Sequence, residues 1–285
     1  MINIENLVNY YPESLQKDEF RMSILKEYLQ YKTLSIIYNG QWGKNLIFIG
    51  GTCLRFIHYF RRFSDDLDFD IHGRHTRDDH KEMCKYICKE LSKEGIVAEI
   101  DKEKKTRNES DMITSYINFP GLLFLQKIDR NPDKKLFIKI DAQYQNTGKY
   151  RYKPEAKLIN KFEVVRMVNA APLSVLYSMK LCALISRTKG RDFYDIMDLV
   201  NLTKPDNDFL LNRLANMKNP VQLSSSEQLK KMILNNLEKV NWKEKISEVS
   251  AFLHDKQEIE KVKYFKDYII QIDSAKMLPD FNIAN

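Results

Sequence analysis

No stretch of the sequence approaches the ~20 successive apolar residues that cross a bilayer, so an ordinary helical membrane span is excluded. The opening MINIENLVNYYPESL lacks the basic start and unbroken apolar core of a secretory signal. Cysteine is scarce. The four residues, at 53, 84, 88 and 182, show no disulfide-rich spacing, and the expected compartment is a reducing cytoplasm. Glycine (9) and proline (8) are too few for a fibrous or low-complexity chain. Two phosphate-binding signatures are missing as well: there is neither a GxxxxGK[ST] loop nor a GxGxxG fingerprint.

What remains is a globular composition. At 285 residues and 43% hydrophobic, the chain can build one large or two modest cores. Its net charge of +7 permits a polyanionic partner such as RNA without requiring one.

The least ordinary stretch is RRFSDDLDFD, residues 61–70. Asp66, Asp68 and Asp70 alternate with Leu67, Phe69 and Ile71, the pattern of a strand with one apolar and one polar face. Aspartate is a poor strand former and like charges at this spacing repel. A cation that neutralises them removes the conflict. Residues i and i+2 lie ~6.5 Å apart on one face of a strand, so Asp66 and Asp68 suit one or two Mg²⁺ ions. Magnesium takes carboxylates together with substrate phosphates. Asp70 shares the face but lies further along. Asp65 points to the other side.

Upstream, LIFIGG (46–51) reads as a short buried strand ended by Gly50-Gly51, with a helix expected from Thr52 to about Phe63. Glycines between strand and helix admit a ligand to the backbone, and the free N–H groups of a helix start attract phosphate. Glycine turn, helix and D-x-D strand together describe a site for a metal–nucleotide complex.

Helices are also expected over 17–38 and 78–93, and strands over IVAEI (96–100), ITSYINF (113–119) and LFIKIDAQY (136–144), with loops between them. In LFIKIDAQY, Asp141 lies opposite Ile138 and Ile140. If this strand neighbours LDFDI, Asp141 completes a three-carboxylate cluster that binds metal or accepts a proton from an attacking hydroxyl. Otherwise it is a solvated strand-end acid. His80, Cys84 and Cys88 share a helical face, but a zinc site would lack a fourth ligand, and packing as small apolar residues is the simpler role.

After about residue 165 the pattern turns helical. Pro172 can open a helix, another restarts after Gly190, Ser224 and Glu227 fit a capping box, and 257–273 is helical again. The expected fold class is α+β: an N-terminal mixed-sheet domain (1–165) followed by an all-helical domain (166–285). Lys180 is the one charged side chain between Ala170 and Ser186. It either meets a phosphate or an active-site acid, or extends its head to water. Arg191, Asp192 and Asp195 crowd the next helix start, where pairing and capping explain them as well as catalysis does.

GGTCLRFIHYFRRFSDDLDFDI closely resembles the first motif of the AbiEii/AbiGii toxin family of nucleotidyltransferases, in the polymerase-β-like superfamily. KLCALISRTKGRDFYDIMDLV resembles that family's later motif, a lysine helix followed by RDxxDL. The resemblance implies a nucleotidyltransferase domain in which Gly50, Gly51 and Ser64 hold the phosphates of an NTP and Asp66 and Asp68 bind Mg²⁺. Thr52, Arg55 and Arg191 join the expected nucleotide-binding set. Lys180, with Asp192 or Asp195, would complete the site from the helical half. The family implies a cytoplasmic toxin of a bacterial toxin–antitoxin or abortive-infection phage-defence system, with a cognate antitoxin as partner. It would transfer NMP to an acceptor hydroxyl such as a tRNA 3′ end. A protein or small-molecule acceptor is the alternative, or a binding module with a fossil site.

Overall fold

The computed structural model describes residues 2–101, 112–253 and 255–278. They fall into two compact units, Met1–Tyr144 with Pro154–Ala170, and Gln145–Lys153 with Ala171–Asn285. The first unit runs α1 (Ile4–Val8), α2 (Asp18–Asn39), β1 (Leu46–Ile49), α3 (Gly50–His58), β2 (Asp66–Ile71), α4 (Arg77–Lys93), β3 (Glu99–Ile100), β4 (Met112–Asn118), α5 (Leu122–Leu125), β5 (Phe137–Tyr144), β6 (Glu155–Lys161) and β7 (Val164–Ala170). Its seven strands make one sheet in the order β3-β4-β5-β2-β1-β7-β6. The β2–β5 and β1–β7 pairs are parallel and the others antiparallel. The architecture is therefore mixed α+β.

The alternation at 66–71 has the expected consequence. Leu67, Phe69 and Ile71 are buried, and Phe69 lies opposite Phe48 of β1 with ring centroids 5.8 Å apart. Phe48 in turn meets Phe56 of α3 at 6.2 Å, and Phe56 stacks on Tyr31 of α2 at 3.9 Å. Burying each such ring stabilises by ~1.5–3 kcal/mol. This aromatic layer holds α2 and α3 against one side of β2 and consigns the aspartates to the other.

Several element boundaries differ from the sequence expectation. Helix α3 stops at His58 rather than near Phe63, because Tyr59 turns left-handed and the Phe60 N–H closes on the Leu54 carbonyl. Strand β3 keeps only the end of IVAEI. Gly95, at φ +76, caps α4, and the Ile96 N–H bonds back to Leu91, which takes Ile96 out of the strand. The loop expected before ITSYINF falls largely on residues 102–111, outside the described residues.

Strands β6 and β7 were not expected at all. They form a hairpin through Phe162 and Glu163, both at positive φ (53° and 63°). Such turns ordinarily advertise themselves by Asn-Gly. Here the buried ring of Phe162 packs against Tyr10, Tyr11, Tyr28 and Tyr31, which offsets a backbone cost of order 1–3 kcal/mol per residue. Strand β7 runs through position 165, where the composition changes.

The second unit contains α6 (Leu173–Ser186), α7 (Gly190–Leu202), α8 (Asn207–Ala215), α9 (Ser226–Leu237), α10 (Trp242–Ser250), α11 (Ile259–Lys263) and α12 (Phe265–Gln271). Pro172 sits at the N-cap of α6 as its position suggested. The cap of α9 is one residue later than the expected Ser224–Glu227 box. Ser225 accepts from the Gln228 N–H, and the Gln228 side chain accepts from Ser224. No helix among the described residues is long and apolar enough to cross a membrane.

Candidate active site

The acid face of β2 continues across the sheet. In the β2–β5 ladder Asp68 is the partner of Asp141, Asp66 of Lys139 and Asp70 of Gln143. Partnered residues of adjacent strands share a face. Asp66 and Asp68 are half-exposed, whereas Asp70 is buried and accepts a 3.0 Å hydrogen bond from the Gln143 amide. That bond gives Asp70 a partner within the sheet.

Asp141 is buried with both oxygens engaged. Thr114, its partner on β4, donates to Oδ1 at 2.7 Å, and the Lys139 ammonium pairs with Oδ2. Burial opposes the charge of Lys139, yet its hydrogen bond to Asp141 and the fields of Asp141, Asp66 and Asp68 leave its pKa raised. The face thus holds a cation of its own. Among the described residues, no group of three or more His, Cys, Asp or Glu side chains is arranged to hold a metal ion. Magnesium does not demand such a cage, since it binds through one or two carboxylates plus substrate phosphates. Asp66 and Asp68 fit that mode, with Asp141 beside them and bonded to lysine.

The face abuts the glycine turn. Gly50 has φ +80, and a Cβ there would stand 2.3 Å from Asp68 Oδ2. A Cβ on Gly51 would stand 2.5 Å from Arg62 Nη2 and 2.9 Å from Ser64 Oγ. Gly50 leaves room for Asp68, and at Gly51 the tips of Arg62 and Ser64 close on the start of α3, whose first N–H groups receive no side-chain cap from Ile49. Helix α2 steadies the segment before β2: Gln30 donates to the Ser64 carbonyl at 3.0 Å, and Lys26 pairs with Asp65 at 2.8 Å.

Two expected nucleotide contacts are directed elsewhere. Thr52 donates its hydroxyl to the Asp66 carbonyl, tying α3 to β2. Arg55 binds the buried Glu27 and donates to the Phe60 and Arg61 carbonyls. Glu27 also accepts from Tyr11 and Lys161, each at 2.8 Å. This network ties α2 and α3 to the β6–β7 hairpin. Arg62, Thr114 and Lys139 were not singled out from sequence. Lys139 had a visible signal, being two residues before Asp141 on the same face.

In the second unit, Lys180 of α6 meets Asp192 Oδ1 and Asp195 Oδ2 of α7, both at 2.8 Å. Arg187 donates to Asp192 Oδ2 at 2.9 Å. Of the partners open to Lys180, the structure supplies two acids of the RDxxD motif. Burial works against the charge of Asp192, yet Lys180 and Arg187 beside it hold its carboxyl well below the usual range. The Arg191 guanidinium lies over the Phe252 ring at 4.8 Å.

His80, Cys84 and Cys88 have ordinary packing roles. His80 meets the buried His75 at 3.1 Å, and burial pushes the Cys84 thiol up to about 12 and Cys88 to about 11.

The family model described as "Nucleotidyl transferase AbiEii toxin, Type IV TA system" matches residues 32–273. The chain belongs to this family. Membership makes it a nucleotidyl transferase toxin of a type IV toxin–antitoxin system, with an NTP substrate and a cognate antitoxin. Among solved structures, it is similar to MenT4, a nucleotidyltransferase toxin from Mycobacterium tuberculosis H37Rv. That likeness has TM-score 0.56 at 14% identity and covers 97% of this chain and 92% of MenT4. It is also similar to JHP933 from Helicobacter pylori, with TM-score 0.45, 16% identity, and 87% and 91% coverage. No curated protein matches the sequence. The MenT4 likeness supports the nucleotidyltransferase fold of this AbiEii-family chain.

Proposed function

We propose that this AbiEii-family toxin transfers NMP from an NTP to an acceptor hydroxyl, most simply the 3′ end of tRNA, with release of pyrophosphate. The observation that carries the reading is the register of Asp68 with Asp141, beside a turn in which Gly50, at φ +80, leaves room for Asp68. In this reading the turn and Ser64 receive the triphosphate through the N–H groups of α3. Asp66 and Asp68, with Asp141 beside them, would hold Mg²⁺, which when bound would polarise the α-phosphate and stabilise the charge of the leaving group. Asp141 can instead accept the proton of the attacking hydroxyl. Thr52 and Arg55 act one step removed, by fixing α3 and the segment that carries Ser64.

Lys180, Asp192, Asp195 and Arg191 receive their part from the resemblance of their motif. All four stand on α6 and α7, which follow Ala170. The positive net charge suits an RNA acceptor. A cytoplasmic setting and a role in abortive infection and phage defence follow from the same proposal.

Incubating the protein with each α-labelled NTP, Mg²⁺ and total RNA tests it. Label on tRNA supports the proposal. Label on protein or a small molecule moves the acceptor, and no label with any NTP favours a fossil site.

A further inference from the structure

We propose that Lys139 is a tethered counter-cation of the carboxylate face: its ammonium holds Asp141 and must yield before Asp141 can take part in binding a divalent ion. This rests on the reading of Asp66, Asp68 and Asp141 as the metal-binding face.

Three observations carry it. Lys139 stands at the ladder position partnered with Asp66, two residues from Asp141, so its stem rises from the same face as all three acids. Its Nζ pairs with Asp141 Oδ2, while Thr114 holds Oδ1. Each oxygen of Asp141 thus has a protein partner. The acids nevertheless share one face without already forming a site for an ion among the described residues. The Lys139 ammonium offsets one negative charge of the face.

The chemistry of lysine suits a replaceable partner. An ammonium on a flexible four-carbon stem is a point charge that can swing away without backbone movement, whereas a guanidinium fork would lock a carboxylate in place. Thr114 would keep Asp141 oriented after the lysine leaves. The expected consequence is a face that binds free divalent ions weakly and strengthens when the ion arrives with a triphosphate. Lys139 is a positioning residue in this account. It acts through Asp141 and does not touch the substrate.

The test uses Mn²⁺ as probe and the full-length, nucleotide-free protein, with free Mn²⁺ followed by electron paramagnetic resonance. Lys139→Met is expected to tighten Mn²⁺ binding roughly tenfold, about 1.4 kcal/mol, and Lys139→Arg to bind no tighter than the parent. In an Asp141→Asn background the effect of Lys139→Met should shrink to less than about threefold, since there is no longer a carboxylate to release. A change confined to packing would move the melting temperature but leave Mn²⁺ affinity alone. If Lys139→Met does not fold, Lys139→Gln carries the same expectation. Unchanged Mn²⁺ affinity in a folded Lys139 variant overturns the proposal. If Asp66→Asn/Asp68→Asn binds Mn²⁺ as well as the parent, the metal face itself is wrong, which is a separate failure.

Discussion

Asp68 and Asp141 are ladder partners on two adjacent parallel strands, so residues 73 positions apart in sequence present their carboxylates on one face of the sheet. Gly50 reaches the same place from the other side, with its missing Cβ leaving room for Asp68 Oδ2. These two relationships define the site within the first unit. Each leads to a different measurement.

Gly50→Ala should be a functional mutation before it is a folding one. The positive φ costs an alanine ~1–2 kcal/mol, and the added methyl must push Asp68 aside. Misplacing a reacting group by about 1 Å costs roughly 10²-fold in rate. Nucleotide transfer is therefore expected to fall by about that factor while the melting temperature drops only a few degrees. Parent-like transfer in this variant would separate the turn from Asp68.

Lys180 is bound to two buried acids, so its removal should register in stability. Lys180→Met leaves Asp195 without its lysine and Asp192 with Arg187. Breaking a buried ion cluster by removing one partner costs ~3–5 kcal/mol. Denaturant unfolding should show a loss of that order, and adding Asp195→Asn should recover part of it by removing one of the two buried charges that lost the lysine. If the lysine is also needed for transfer, Lys180→Met stays inactive at temperatures where it is fully folded. Unchanged stability in Lys180→Met would contradict the ion cluster.

Acid should destabilise the protein before carboxylates titrate. Burial, and then the charge of His75, hold the His80 pKa down to about 3, against ~6.5 in an unfolded chain. Because the unfolded state takes the proton first, the stability linked to neutral His80 is complete above pH ~6.5. It is lost progressively as pH falls toward 3. Between pH 6.5 and 5 the loss is about 2 kcal/mol. His75 is lowered chiefly by burial and adds in the same direction. The melting temperature should fall over that interval, and His80→Leu should flatten the fall. An identical slope in His80→Leu would assign the pH dependence to other groups.

The site was more legible in the sequence than the sheet around it. The alternation of Asp66, Asp68 and Asp70 with apolar residues survived folding because one side of β2 is needed for the Phe48–Phe69–Phe56 layer. Asp141 was legible only conditionally, since alternation tells which face a residue takes but not which strand lies beside it. The β6–β7 hairpin was invisible because its turn residues are Phe162 and Glu163, and what stabilises them is a cluster of tyrosines from distant segments. The pairing of Arg55 with the buried Glu27, 28 residues away, has no local signal in the sequence. Lys139 reads in the sequence as an ordinary solvated lysine on the polar side of a strand.

The central claim is that the paired face of Asp66, Asp68 and Asp141 beside Gly50 is the nucleotidyl transfer centre. The most direct measurement is transfer from α-labelled NTP to RNA, in Mg²⁺, by the parent and by Asp68→Asn, with the melting temperature of each recorded. Losing electrostatic stabilisation of the transition state costs about 10²–10³ in rate for a single contact. Asp68→Asn also keeps the shape of the side chain and relieves its repulsion with Asp141. The account predicts at least a hundredfold loss of transfer by Asp68→Asn with a melting temperature equal to or above the parent's. Transfer by a folded Asp68→Asn variant at the parent's rate would contradict it.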